Sequence, residues 1–532
     1  MLSEYLANYK ILKQFVNHNY NIFSNQKNNN QIFLVEFHGW QGIHIAFSYL
    51  INFFLAKKNF KIVAFESYNI FNHNKNTFLN KLKWVIGKFL KLRNFGIYKS
   101  FGVSDFIKPQ YNNFLEKKSL KKLKIFYKNK NNLRDLENLK VENIWIGDLI
   151  YDSYLKKFST HTIDLNSKDF KFFFFQCLCN FYFWNNYFEK NSIKGVLVAH
   201  SVYISGIPLR IANKKNIKNF YFTGSNIVNG TNRIVYKNKQ NNTDIHFRFY
   251  KKLFQNFSTI EKKKNIQLGK KYLRELIEGK KKYFYLKKTA FKKKKLSNKY
   301  FNKNNKKLKV IIYPHLFTDS PHVYGNHFFP DFFEWLKFLE KVIKKTNYNW
   351  YIKRHPNEDK ITRKIIKLFI KKNPNVKLLP KNFSNFYISK AKINFALTLY
   401  GTIGSELPGY NVKVINASIN NPHFDYNFCI NPKNITEYKK ILLNLNSNTF
   451  KINKRDLYEF HYMKNHYSSF NDYIFSKVED YFKYAKKRQI FLTNKSYKIW
   501  LENFSIQRHK NIVKMIEKFV VSGDYMIFKS HK

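Results

Sequence analysis

Cysteine is almost missing from this chain, with three in 532 residues: Cys177, Cys179 and Cys429. Three thiols cannot build a disulfide framework, and their spacing fits no zinc site. Cys177 and Cys179 fall inside the apolar stretch 172–188, where core packing is the simplest reading. Long hydrophobic runs are missing as well. The two longest apolar stretches, 47–56 and 172–184, fall short of the roughly 18 residues that a membrane span needs. Residues 1–10 carry Glu4 and no apolar run, so no secretory signal is read there. The expected location is cytoplasmic. Acidic residues are few, 34 against 96 Lys and Arg, for a formal net charge of +62. Arginine is scarce too: eleven of those cations are Arg and the rest are Lys. Proteins that read nucleic acid lean on the planar arginine fork, so the charge names no specific nucleic-acid partner. Asn, Ile, Phe and Tyr are inflated together with Lys, which is the joint skew of an AT-rich codon bias.

What is present suffices for large cores. A hydrophobic fraction of 44% and an aromatic fraction of 19% exclude a disordered basic chain. The length fits two large domains. The Lys/Asn-dense stretch 280–309 has no sustained apolar period and reads as a linker, placed at 281–307. Before it, strands are expected at 31–37, 61–65, 193–199 and 217–222, with helices at 42–57, 168–190 and 207–214. After it, strands at 309–313, 348–353, 376–379, 393–399 and 412–416 alternate with helices at 330–345, 359–372, 383–390 and 404–409. Such alternation predicts α/β architecture with parallel sheets covered on both faces. The expected division is a first α/β domain over 1–280, a second over 308–450, and a helical C-terminal segment over 451–532.

Because composition drifts toward Lys, Asn and Phe, residues that run against the drift carry the information. Nine of the eleven prolines lie between Pro314 and Pro432, and Gly401, Gly404 and Gly409 fall within nine residues. Three marked loops follow strands of the second domain. One holds His315 and Asp319, one reads Lys353-Arg354-His355-Pro356, and one reads Gly401-Thr402-Ile403-Gly404-Ser405-Glu406. Carboxyl ends of parallel strands converge on one crevice, where ligands bind. A glycine turn entering a helix offers open N–H groups at the positive end of the helix dipole, an anion cradle. Thr402 and Ser405 would add hydroxyls there, unless they merely cap the helix. Glu406 would accept from a ribose hydroxyl. Lys353, Arg354 and His355 would neutralise a leaving phosphate. His322 and His327 read as solvated.

These loops resemble those of bacterial surface-carbohydrate and capsule polysaccharide biosynthesis proteins, glycosyltransferases of the two-Rossmann GT-B type. The matching text is His315-x-x-x-Asp319-Ser-Pro, Phe332–Trp335, Trp350-Tyr-Ile-Lys353-x-His355-Pro356, and Thr398-x-x-Gly401-Thr402-x-Gly404-x-Glu406 with Gly409. In the first domain, Ile146-Gly-Asp148-Leu-Ile-Tyr-Asp152 and His200-x-x-Tyr203-x-x-Gly206-Ile-Pro-x-Arg210 are similar to recurring phrases of the same group. The resemblance covers about residues 33–416. His355-Pro356 also resembles the His-Pro element that contacts donor phosphate in bacterial sialyltransferases and related CMP-sugar enzymes. Their acidic-acidic-Gly element has no counterpart in this chain.

The resemblance implies two Rossmann-like domains facing each other across a cleft, the second binding a nucleotide-sugar donor through His315, Asp319, Lys353, His355, Thr402, Gly404, Ser405 and Glu406. A CMP-linked donor is one form of that substrate, and no separate cofactor is expected. The first domain would bind a glycan or lipid-linked acceptor, and Arg210 would either clamp an anionic acceptor or secure the domain. The reaction implied is metal-independent and inverting, so it needs a general base. Asp148, His200 and His38 stand at first-domain strand ends as candidates, although each would also fit as a cap or a structural group. The product would be a capsule or lipopolysaccharide-type glycan. A polyol-phosphate transferase of teichoic-acid type and a basic nucleic-acid-binding protein are the alternatives. Lysines would draw the chain to the anionic inner face of the cell membrane, with the linker as the expected contact.

Overall fold

The computed structural model describes residues 2–23, 29–66, 78–91, 93–129, 131–226, 231–236, 246–281, 289–291, 301, 306–381, 383–467, 494–524 and 527. Most of the predicted linker (282–288, 292–300 and 302–305) and residues 468–493 of the C-terminal segment lie outside the described residues.

The chain is α/β, built on two largely parallel sheets. The first contains β1 (Ile32–Glu36), β2 (Lys61–Phe65), β3 (Asp105–Ile107), β4 (Ile193–Val198), β5 (Lys218–Asn226) and β6 (Thr231–Tyr236). Their order is β3-β2-β1-β4-β5-β6, all parallel except the β5–β6 pair. The second contains β7 (Lys309–Ile312), β8 (Asn349–Lys353), β9 (Val376–Leu379), β10 (Phe395–Thr398) and β11 (Lys413–Asn416), ordered β9-β8-β7-β10-β11 and wholly parallel. Each is a Rossmann-like sheet in which the strand order reverses beside its first strand.

Both faces of each sheet are covered, which is why the strands read as unbroken apolar runs. All five residues of β1 are buried: Phe33 and Val35 enter one core, Ile32 and Leu34 the other. Gly195 in β4 leaves room for the Phe33 ring, which a Cβ there would meet. Helix starts follow capping chemistry. Ser167 caps Lys168–Lys190, and Asp359 caps Lys360–Lys372 through the Thr362 amide at 2.6 Å. The helix expected to open on Pro330 begins at Phe332 instead. Asp331 is its cap, accepting from the Phe333 and Glu334 amides, so Pro330 stands outside it.

Chain order and packing order part company at two places. Residues 246–277 follow the first sheet in sequence, yet Phe247, Tyr250, Phe254 and Leu273 share a core with Ile311, Tyr351 and Val414 of the second. The last helices, Lys495–Asn503 and Ile506–Ser522, return to the first sheet. Trp500 donates to the Tyr49 hydroxyl at 3.2 Å, and the Tyr497 hydroxyl lies 2.9 Å from His44 Nε2. All three cysteines are free and buried, in keeping with a packing role. Among the described residues no helix is long and apolar enough to cross a membrane.

Candidate functional site

The second sheet reverses between β7 and β10, and the loops leaving those two strands meet there. His315, three residues beyond β7, lies 3.2 Å through Nε2 from the Thr398 hydroxyl at the end of β10. Its ring stacks on Phe332 with centroids 4.6 Å apart and planes 6° from parallel, and Tyr400 closes another side at 4.4 Å. Burial, then the charge of His355, depresses this imidazole to about 3. The loop itself is tied down: the Thr318 hydroxyl donates to Asp359 at 2.5 Å and Tyr400 donates to the Ser320 carbonyl at 3.0 Å.

From β8 comes Lys353, only 4% exposed. Its ammonium has no ion pair or hydrogen bond among the described residues, and it sits 5.9 Å from the centre of the Tyr313 ring. Burial lowers its pKa to about 8 against the opposing charge of Glu406, itself buried. His355 follows, its Nδ1 accepting from the Asn357 amide at 3.2 Å. Burial and the Lys353 charge hold it down at about 4, so both His315 and His355 are neutral near pH 7. Arg354 departs from expectation. It lies 3.5 Å from Glu358, which also pairs with Arg363 at 3.3 Å, so Lys353 is the uncommitted cation of this loop.

The glycine turn after β10 needs correcting. The helix expected at 404–409 is a four-residue turn, Ile403–Glu406, running into a 3-10 turn, Leu407–Tyr410, so little dipole is available. Ser405 is fully buried, its hydroxyl donating to the Thr402 carbonyl at 3.1 Å and its carbonyl 2.8 Å from His461 Nε2. It is occupied inside the turn rather than turned to a ligand. Gly404 serves the core: a Cβ there would lie 2.5 Å from the His423 ring. Gly404→Ala is expected to cost about 1–3 kcal/mol through this overlap, read as a lowered melting temperature. What remains for a ligand is Thr402 and the amides of Thr402 and Ile403, which make no hydrogen bond among the described residues.

The first domain supplies the facing edge. His200, exposed at the end of β4, accepts the Val202 amide through Nδ1 at 3.3 Å. Tyr203 holds a left-handed φ of 63°, unusual for a tyrosine, and donates to Asp319 at 3.4 Å across the two domains. Asp319 lies 4.0 Å from Lys156 as well. Sequence reasoning gave Tyr203 no role, since nothing in its side chain announces a positive φ. His38 stands at the end of β1, where its Nδ1 accepts the Trp40 amide at 3.1 Å and burial depresses the ring to about 4.

Asp148 and Arg210 are brought together, but with each other. They form an ion pair at 2.6 Å, exposed by 1% and 2%, while Arg210 also donates to the Trp145 carbonyl at 3.0 Å. Burial pushes the Asp148 carboxyl above its ordinary range against the pull of Arg210. A sealed pair inside one domain replaces the expected base and clamp. Asp148→Asn is expected to keep one hydrogen bond to Arg210 and cost about 1–2 kcal/mol, with catalytic turnover preserved. His322 and His327, read as solvated, are buried at the junction of the domains. His322 Nδ1 lies 2.5 Å from Asp152 and its Nε2 3.3 Å from Glu137, whereas His327 contacts Ser418 and the Pro321 carbonyl.

No protein-family model matches the chain. No curated protein matches it either. Among solved structures it is similar to KpsC of Thermosulfurimonas dismutans, a beta Kdo 2,4 transferase. That match has 10% identity and a TM-score of 0.32, over 51% of this chain and 79% of the other. It is also similar to a glycosyltransferase from Rickettsia africae (9% identity, TM-score 0.24, 90% and 100% covered). A third is the UDP-GlcNAc 2-epimerase of Methanocaldococcus jannaschii, solved with UDP-GlcNAc and UDP (10% identity, TM-score 0.24, 82% and 98% covered). Likenesses this distant carry no argument about activity; the strand orders themselves define the fold.

Proposed function

We propose that the chain is a glycosyltransferase that takes a sugar from a nucleotide-activated donor and adds it to a surface glycan of capsule or lipopolysaccharide type. One observation carries the reading: a buried ammonium, Lys353, with no ion pair or hydrogen bond among the described residues, stands at the carboxyl edge of a parallel sheet beside two neutral imidazoles and two amides that likewise lack a partner there. A cation desolvated without a partner is costly, and an anionic ligand at that crevice relieves the cost. The donor phosphates would lie against Lys353, His355, Thr402 and the amides of Thr402 and Ile403, with His315 bounding the floor. The charge of buried Glu406 favours the protonated form of Lys353.

On the acceptor side His200 is the base that fits best. Asp148 is committed to Arg210, and a ring held near 4, as His38 is, takes protons poorly at neutral pH. His200 removes the acceptor hydroxyl proton, the oxygen bonds to the anomeric carbon, and the bond to the donor phosphate breaks with its electron pair leaving on the phosphate. Lys353 and the open amides meet that charge, an inverting displacement without a metal. The setting would be the cytoplasmic face of the cell membrane. Melting curves across CMP-, UDP-, GDP- and CDP-linked sugars test the donor site. Stabilisation by one nucleotide class is expected, and flat curves for all four would sink the reading. His200→Gln should lower turnover about 100-fold or more while the melting shift with donor is retained.

A further inference from the structure

Between β2 and β3 the chain forms the helix Phe78–Phe89, whose described contacts with the first domain run through Trp84 and Gly87. Trp84 packs edge-on against Phe37 at 5.6 Å and Phe95 at 5.0 Å, and Gly87 is buried close against the Phe95 ring. The opposite side is apolar and bare. Leu79, Leu82, Val85, Ile86, Phe89 and Leu90 are between 41% and 82% exposed. At 100° per residue they fall in one continuous face, the spacing that elsewhere in this chain marks a core-facing helix. A contiguous exposed patch of this kind marks a contact surface.

Charge identifies what it meets. Lys83, Lys91 and Arg93 are exposed on and just past the helix, and no Asp or Glu occurs anywhere from 67 to 104. An isologous contact between two copies would set these cations against themselves. An anionic lipid surface instead accepts both the apolar face and the cations around it. Position agrees: Phe37, under Trp84, directly precedes His38 at the carboxyl end of β1, and Trp40 is half exposed two residues later. Tryptophan suits the headgroup boundary.

We infer that the outer face of Phe78–Phe89 is a membrane-docking surface that lies in the interface of an anionic bilayer, so that the carboxyl edge of the first sheet faces the lipid. The linker, the contact expected from sequence, lies mostly outside the described residues. The docking itself is independent of the proposed reaction; only the added statement that it presents the acceptor edge to lipid-linked glycan rests on that reading.

The test is co-sedimentation of the full chain with vesicles of phosphatidylcholine alone or mixed with phosphatidylglycerol, in physiological salt and without any donor. The wild type is expected to pellet with the anionic vesicles. Leu82→Asp/Phe89→Asp, at exposed positions, should cut the bound fraction about tenfold or more with an unchanged melting temperature. Lys83→Gln/Lys91→Gln/Arg93→Gln should remove the preference for phosphatidylglycerol. Equal binding by the aspartate variant overturns the proposal, because lysines elsewhere on the surface then account for it. Wild type that fails to pellet overturns it as well, and so does a dimer that becomes a monomer in the aspartate variant, which would make the face a self-contact. Donor-dependent melting shifts, measured in parallel, keep failure here distinct from failure of the proposed activity.

Discussion

Lys353→Met should make the protein more stable and at the same time weaken donor binding. Burial holds the Lys353 ammonium at about 8 rather than its ordinary 10.5. Below pH 8 the amine is charged in both folded and unfolded chains, so the fold bears the full cost of that depression. At about 1.4 kcal/mol per pKa unit this is about 3 kcal/mol. The cost is relieved as pH rises from about 8 toward 10.5, because the folded chain sheds its proton first. Methionine keeps the stem and removes the charge, so the gain in melting temperature should be largest at neutral pH and vanish in alkaline buffer. Donor binding follows the opposite course. A charge-assisted contact to phosphate is worth roughly 1.5–3 kcal/mol, so affinity should drop about 10- to 150-fold. In the wild type affinity should fall as pH rises past 8. Melting curves with and without donor, from pH 6.5 to 10, read both effects. A variant that loses stability along with donor binding would mark Lys353 as a structural group.

The loops of this site were legible in outline from sequence, but not in their particulars. The strands that burial on both faces turns into unbroken apolar runs were legible: β2 and β9 occupy the predicted residues and seven others shift by a few positions at an end, whereas the edge strands β3 and β6 were not read as strands. The loop carrying Lys353 and His355 was legible because proline and histidine are rare beside a strand end in a chain dominated by Lys and Asn. Side-chain partners were not. Nothing in the string tells that Asp148 meets Arg210 across 62 positions, or that Glu358 takes Arg354 and leaves Lys353 alone. Ser405 and Gly404 sat in a convincing phosphate-loop phrase, yet the turn is too short and His423 and His461 come up beneath it. Motif spacing reports the backbone's path. It does not report which face of a turn the core claims.

The same gap hid the second large effect. His322→Ala should destabilise the chain by about 3–5 kcal/mol, because it strips the cation from buried Asp152 and leaves buried Glu137 with Arg134 alone. Asp152 and Glu137 belong to helices of the first domain, whereas His322 lies on the β7 loop of the second, so the group joins the domains. Around it Tyr151 and Thr162 each donate to Asp331 at 2.6 Å, and Arg134 donates to the His327 and Phe328 carbonyls. Burial disfavours a charged ring, but Asp152 and Glu137 outweigh it and hold the His322 pKa well above 6.5. Its contribution is therefore complete below the unfolded value near 6.5 and is lost as pH rises through the folded one. Wild type should thus lose melting temperature on alkalinisation more steeply than the variant. His322→Ala should in turn regain stability on acidification, because burial already raises Asp152 to about 6 with the histidine present, and a protonated carboxyl tolerates the vacated site. Adding Asp152→Asn to His322→Ala should recover part of the loss at neutral pH, a coupling that independent sites would not show. Because the β7 loop also carries His315 and Asp319, loosening this junction should weaken donor binding even though none of its residues touches the phosphate site. Additive losses in the double variant, with donor affinity unchanged, would show that the junction neither couples these groups nor holds the loop.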